Sequence, residues 1–301
     1  MKKIICLLSA CLAFIAMASD PTTAKEPPIR VVVPVPVGGS YDKVARSVAM
    51  PLQTELKRAV YVENKPGGNA VIGSRELITH QGKEPVLMVS GIGVFINNAQ
   101  IDGVSDMTPI YYIGYIPEVI VARPSFRHNT LADLVKNSQE HITLASISPG
   151  DTSSILAGTA RKSNINLIPY KGGQQAMVDV LAGVLDLAPT TVAQAKPLID
   201  AGKIKPLGVT GNRRHSDFPN LLTYAEQGFE FPSSLAFYVW VNKGANPAEV
   251  EKIVSALDAV MQRDDYKKDA EFIGLRRLPV RGSVATQFSE SKQRIYSIIN
   301  K

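Results

Sequence analysis

Cysteine is nearly missing from this chain. Cys6 and Cys11 are the two present, and both lie in the first eleven residues. Everything beyond Cys11 therefore has no disulfide, no thiolate metal site and no cysteine nucleophile. Histidine is scarce too: His80, His128, His141 and His215 are far apart, and none has a second histidine or a cysteine at i+4. Each reads as a surface histidine near a loop, so no metal site is expected. After the N-terminus there is no run of eighteen uncharged apolar residues, which excludes a polytopic membrane protein. Neither G-x-S-x-G nor G-x-x-x-x-G-K-[ST] occurs, and Ser90-Gly91-Ile92-Gly93 lacks the third glycine of a dinucleotide fingerprint. No residue set forms a catalytic centre and no cofactor is expected. A net charge of +6 over 301 residues is too weak and dispersed to indicate nucleic acid. The pairs Arg213-Arg214 and Arg276-Arg277 read as isolated, solvated surface.

Of what is present, the N-terminus reads as an address. Lys2 and Lys3 precede an apolar stretch from Ile4 to Ala16, and Ala16-Met17-Ala18 supplies a small–x–small cleavage pattern. Residues 1–18 are expected to be a signal peptide cleaved after Ala18, with a polar, proline-rich tether over 19–28. Leu8-Ser9-Ala10-Cys11 also resembles a lipobox, which leaves lipidation of Cys11 open. Cleavage after Ala18 takes away Lys2 and Lys3 and leaves 283 cysteine-free residues with a charge of +4.

The remainder alternates strands and helices. Ile29 to Val37 is a β-branched run ending at Gly38-Gly39, followed by Val44, Ala45, Val48, Leu52 and Leu56 at helical spacing. Pro51 should kink or end that helix. Further strands are expected at Ala59–Glu63, Pro85–Ser90, Ile142–Ser146, Leu185–Ala188, Ile204–Thr210 and Tyr238–Val241, with a β-rich segment from Tyr111 to Ala122. Thr130 and Asn246-Pro247 have the chemistry of helix N-caps. Such alternation, with glycines at strand ends, means an α/β protein with largely parallel sheets, whose ligands bind beyond the carboxyl ends of the strands.

Gly38-Gly39-Ser40, Pro149-Gly150-Asp151-Thr152 and Lys171-Gly172-Gly173 each place small residues at the start of an expected helix. Free backbone N–H groups there bind carboxylate or phosphate. Each alone is equally a structural turn. Several of them in one exported α/β chain favour a binder of a small anion.

At these residues the sequence resembles the periplasmic solute receptors of tripartite tricarboxylate transporters, the Bug family. The resemblance runs through Val32-Val33-Pro34, Pro36, Gly38-Gly39, Asp42 and Val44-Ala45-Arg46, then Val62 to Gly67 with Ile72-Gly73. It continues at Asp106, Pro109 and Leu131 to Leu134. Its strongest block is Pro169-Tyr170-Lys171-Gly172-Gly173 with Ala176, Asp179, Gly183 and Asp186-Leu187, and it closes on Ala201-Gly202-Lys203 and Glu226-Gly228-Phe229. The resemblance implies a two-lobed periplasmic-binding-protein fold (type II, Venus flytrap), each lobe a mixed, mostly parallel sheet flanked by helices. Residues 29–123 plus 236–301 would form lobe 1 and residues 124–235 lobe 2, with hinges near Arg123–Ser125 and Phe231–Ser234. It implies a monomer in the periplasm that binds a small carboxylate or amino acid between the lobes and delivers it to a membrane permease, without catalysis. By position, lobe 1 offers Gly38, Gly39, Ser40, Tyr41, Asp42, Ser90 and Gly91. Lobe 2 offers Ser146, Ser148, Gly150, Asp151, Thr152, Lys171, Gly172, Gly173 and Thr191.

The sequence departs from the family pattern at several of these positions. Tyr41 stands where a small hydroxyl residue is common and would narrow the cleft or stack on a ring. Asp151 replaces a Ser or Thr; it either caps its helix or points into the cleft, where it would repel a second ligand carboxylate and attract an ammonium. Phe237 takes the place of a tryptophan. Lys171 is either the electrostatic partner of the ligand or a surface lysine shielding a helix start. Two other functions fit the same scaffold: a ligand-sensing module for a membrane sensor kinase, and an exported hydrolase, which needs a histidine near Ser40, Ser90 or Ser148.

Overall fold

The structure is a computed structural model. It describes residues 26–299 apart from 82–83, 98–100, 137–139, 148–150, 161–163, 171, 212, 230–234, 279 and 281. The expected signal peptide, Cys11, most of the tether, the second hinge and Ser148, Gly150 and Lys171 lie outside the described residues.

In chain order the strands and helices are β1 (Ile29–Val33), α1 (Ser40–Leu56), β2 (Val60–Asn64), α2 (Val71–Thr79), β3 (Val86–Gly91), α3 (Ile92–Asn97) and β4 (Met107–Tyr115). Then follow β5 (Glu118–Ala122), α4 (Leu131–Lys136), β6 (Ile142–Ser146), α5 (Thr152–Thr159), β7 (Ile165–Pro169), α6 (Gly173–Leu181), β8 (Leu187–Thr191), α7 (Val192–Asp200) and β9 (Lys205–Val209). The chain ends with β10 (Ala236–Asn242), α8 (Pro247–Gln262), α9 (Asp264–Phe272) and α10 (Val284–Ile299).

The strands form two five-stranded sheets, in the orders β2-β1-β3-β10-β4 and β7-β6-β8-β5-β9. In each, four strands run the same way and the fourth in order is antiparallel to both its neighbours: β10 against β3 and β4, β5 against β8 and β9. The β-branched runs explain these strands. Val31, Val32 and Val33 are buried on both faces of β1, as a parallel strand covered by helices requires.

The sheet pairing moves the first chain crossing. Residues 118–122 hydrogen-bond in the second sheet, with Glu118 opposite Thr191 and Ala122 opposite Leu187. The chain therefore passes between the sheets at Ile116-Pro117, not near Arg123–Ser125. Proline has no N–H to give a ladder, which suits a break between β4 and β5. Helix α10 also differs from its expected place in one lobe. Phe288 and Ile295 pack in the core of the first sheet, while the Ile298 carbonyl would lie 3.0 Å from a Cβ placed on Gly158 in α5.

Pro51 does not stop α1, which continues to Leu56. Val44, Ala45, Val48, Pro51 and Leu52 are all buried along one side of it, and that apolar burial offsets the lost backbone bond. Trp240 is fully buried; its indole N–H donates to the Ser90 carbonyl at 3.3 Å and its ring stacks on Phe95 and meets Phe288 edge-on. His128 is not a surface residue. It is 3% exposed, with Nδ1 3.1 Å from Asp133 Oδ2 and Nε2 accepting from Arg127 Nε at 3.2 Å. Its neighbours Arg127 and Asp133 supply the polar contacts that a buried imidazole needs.

Candidate functional site

The turns after β1, β3, β6, β7 and β8 all leave the carboxyl ends of their strands, and β5, being antiparallel, begins at the same edge of its sheet. Helix N-termini with unpaired backbone N–H groups therefore gather there.

On the first sheet the turn is Gly38-Gly39. Gly38 has φ +87°, a conformation that favours glycine, and Gly39 is the N-cap of α1 without any side-chain cap. The Asp42 carboxylate holds this turn in place. It accepts the Gly38 amide at 2.9 Å, Arg46 Nε at 3.0 Å and Asn64 Nδ2 at 3.0 Å. Burial would raise the Asp42 carboxyl, but the Arg46 guanidinium, the Gly38 amide and Asn64 together hold it below its ordinary value. The Asp42 side chain thus shapes the loop, and its oxygens are already engaged.

Tyr41 leans across the ends of β3 and β10. Its ring meets Phe237 edge to face at 5.2 Å between centroids. A Cβ on Gly91 would lie 2.6 Å from the Tyr41 hydroxyl and 2.8 Å from the Ala236 carbonyl. Glycine at 91 is what lets the tyrosine lie there. Ser90 is fully buried and its hydroxyl has no hydrogen-bond partner, histidine or other, among the described residues.

On the second sheet Asp151 is the N-cap of α5. Oδ1 accepts the Ser154 amide at 2.7 Å, and Oδ2 accepts the Ile147 amide at 2.6 Å and the Ser146 hydroxyl at 3.1 Å. The capping alternative is thereby realised, and Ser146 is tied to it. Thr152, fully buried, donates its hydroxyl to Glu118 Oε2. Ser153 beside it is buried with a hydroxyl lacking a hydrogen-bond partner among the described residues. Gly172 precedes α6 with no side-chain cap, and a Cβ on Gly173 would stand 3.7 Å from Ile147 and from the Pro189 carbonyl. Thr191 caps α7 by accepting the Gln194 amide at 3.3 Å.

Tyr41 links the two sets electrostatically. The Tyr41 hydroxyl is pushed well above its ordinary value first by burial, then by the negative charges of Glu118 on β5 and Asp151 at the start of α5. Glu118 is absent from the residues expected above. Its only sequence signal is a single carboxylate between Pro117 and the apolar run Val119–Ala122. Its backbone is fixed by Thr210, whose hydroxyl accepts the Glu118 amide at 2.8 Å and whose amide donates to the Glu118 carbonyl at 2.8 Å. Among the described residues no three His, Cys, Asp or Glu side chains group as metal ligands. The arrangement can hold an anion on backbone amides and small hydroxyls; it contains no described nucleophile–base pair around Ser90.

Two mixed α/β sheets with helix starts beyond their strand ends define the two-lobed class of solute-binding protein. Residues 44–295 match the tripartite tricarboxylate transporter family receptor, and the chain belongs to that family. Protein BugT of Bordetella pertussis is 28% identical over 263 residues, covering 82% of this chain and 81% of BugT. The periplasmic binding protein BugD superposes with a TM-score of 0.71 at 27% identity, over 91% of this chain and 96% of BugD. MatC from Rhodopseudomonas palustris, solved with bound malate, shares the fold with a TM-score of 0.73 at 21% identity, over 91% and 99% of the two chains.

Proposed function

We propose that the protein is a periplasmic receptor that closes two lobes over a small carboxylate or amino acid and hands it to a tripartite tricarboxylate-type permease. The observation that carries this reading is the uncapped helix start beyond a strand end in each sheet, Gly39 before α1 in the first and Gly172 before α6 in the second, with Tyr41 within the field of Glu118 and Asp151. Backbone N–H groups of such termini carry partial positive charge and suit a carboxylate. The malate in MatC supports a carboxylate of similar size. Lobe 1 comprises the first sheet with residues 236–301, of which α10 also packs on α5 of lobe 2, lobe 2 the second sheet from Glu118 to about residue 235, and the hinge lies at Ile116-Pro117 and the return to β10. Contact residues are Gly38, Gly39, Ser40, Tyr41, Ser90 and Gly91 from lobe 1, and Ser148, Gly150, Thr152, Lys171, Gly172, Gly173 and Thr191 from lobe 2. Residues 1–18 direct export, and the receptor acts as a monomer.

The reading is tested by a thermal-shift screen against mono-, di- and tricarboxylates, amino acids and aromatic acids, followed by calorimetry on the hits. A ligand at a hundred times its Kd stabilises by about 2.7 kcal/mol. A panel in which no small anion raises the melting temperature overturns the proposal.

A further inference from the structure

The arginine pairs that look isolated in the sequence meet in space. Arg213, Arg214, Arg276 and Arg277 line one cavity of about 500 Å³ together with Tyr115 and His215. That volume lies within the range of small-molecule sites. Among the described residues no carboxylate lines it. Four guanidinium groups share its wall, and like charges held together in a concavity repel unless an anion compensates them.

Two of the four are already engaged. Arg214 Nε donates to both carboxylate oxygens of Glu226, at 2.9 and 3.0 Å. Arg277 lies over the Tyr111 ring and donates to its hydroxyl at 3.0 Å. Arg213 and Arg276 make no ion pair among the described residues, and Arg276 Nη2 stands 3.3 Å from His215 Nε2. Burial and the neighbouring Arg276 both press the His215 ring towards its neutral form, against a smaller opposing pull from Asp217.

The cavity straddles the chain crossing. Arg276 is pinned to the end of β4 by paired backbone bonds with Tyr115, 2.7 Å in each direction. Arg213 and His215 follow β9 of the other sheet, beyond the Thr210 that holds Glu118. Pro117, in the crossing itself, is part of the wall.

We propose that this cavity is a second anion site, for a compact di- or trivalent oxyanion of the phosphate class, bridging Arg213 on one lobe and Arg276 on the other. Guanidinium groups present paired N–H donors that match such oxyanions. None of its wall residues belongs to the cleft between the helix starts, so it does not depend on what that cleft binds. An anion bridging both lobes favours the lobe angle that brings its partners together, by as much as its affinity differs between angles.

The test is calorimetry of inorganic phosphate into the full chain at low ionic strength. Three proteins are compared: wild type, Arg213→Ala/Arg276→Ala, and a charge-matched control, Arg75→Ala/Lys268→Ala. The expected result is saturable one-to-one binding that weakens at least about tenfold in the first variant and stays within about twofold in the control. Should the double variant melt well below wild type, Arg213→Gln alone replaces it, and a loss of at least about threefold is expected. Absence of saturable phosphate binding to wild type overturns the site. So does binding that survives the arginine substitutions, which locates the phosphate in the cleft, or equal loss in the control, which reports net charge only.

Discussion

The Tyr41 and Phe237 rings meet in a T-shaped contact with centroids 5.2 Å apart and planes at 70°. This contact joins the first turn of α1 to β10, the strand by which the chain returns to the first sheet. It also explains the glycine that follows Ser90, because a side chain at position 91 would occupy the space of the tyrosine hydroxyl.

Gly91→Ala is therefore expected to destabilise the protein by about 1–3 kcal/mol, the usual cost of forcing atoms into a filled site. It should also weaken carboxylate binding by displacing Tyr41. Adding Tyr41→Phe removes the hydroxyl 2.6 Å from the new Cβ but leaves the Ala236 carbonyl at 2.8 Å. The double variant should regain part of the stability and not all. Urea denaturation of the four proteins measures this; full recovery would show that the carbonyl contact is not felt.

Asp151 separates two roles that one side chain performs. Its carboxylate caps α5 and adds negative charge near Tyr41. Asp151→Ala should cost about 1 kcal/mol through loss of the cap. Asp151→Ser keeps a capping oxygen but loses the charge and the bonds that Oδ2 accepts from Ile147 and Ser146, so it should cost less stability than Asp151→Ala. The same change should favour dicarboxylates over amino acids, since a fixed negative charge repels a second carboxylate and attracts an ammonium. Competitive calorimetry with the two ligand types decides, and an unchanged preference would dismiss the electrostatic role.

Asp42 makes the glycine turn sensitive to acid. Its folded-state value lies below that of the unfolded chain. The stabilisation is thus complete above the unfolded carboxyl value of about 3.9 and is lost as the pH falls through the lower folded value. Asp42→Asn should melt below wild type at pH 7, and the gap should narrow as the pH drops below about 4. Melting curves from pH 7 to 3 check this; a gap that is constant with pH would mean that the carboxylate charge contributes nothing to the turn.

Much of the architecture is legible from local patterns. Glycine turns, the Asn246 cap with Pro247 and the Thr130 cap all mark helix starts where the structure has them, with Asn246 Oδ1 2.9 Å from the Ala248 amide and Thr130 Oγ1 3.0 Å from the Asp133 amide. These signals act within three or four residues of themselves. Short strands carry weaker local signals. Ile165–Pro169 is half exposed, so its alternation is weak, and it forms a strand because Ile142–Ser146 offers a parallel edge along its whole length.

The α/β class, the order of most elements, the glycine and cap positions of the helix starts and the family motifs are all legible in local sequence. Three other features arise only from the tertiary structure: the crossing at Ile116-Pro117, the bonding of Glu118 to Thr152 and Thr210, and the meeting of Arg213 with Arg276. The physical reason is range. Helix caps and turns are satisfied by neighbours a few residues away, whereas a strand's sheet and a charge's surroundings depend on pairing partners tens of residues distant. Glu118 takes its place from hydrogen bonds to Thr210, and Arg276 from backbone bonds to Tyr115; no local pattern encodes either.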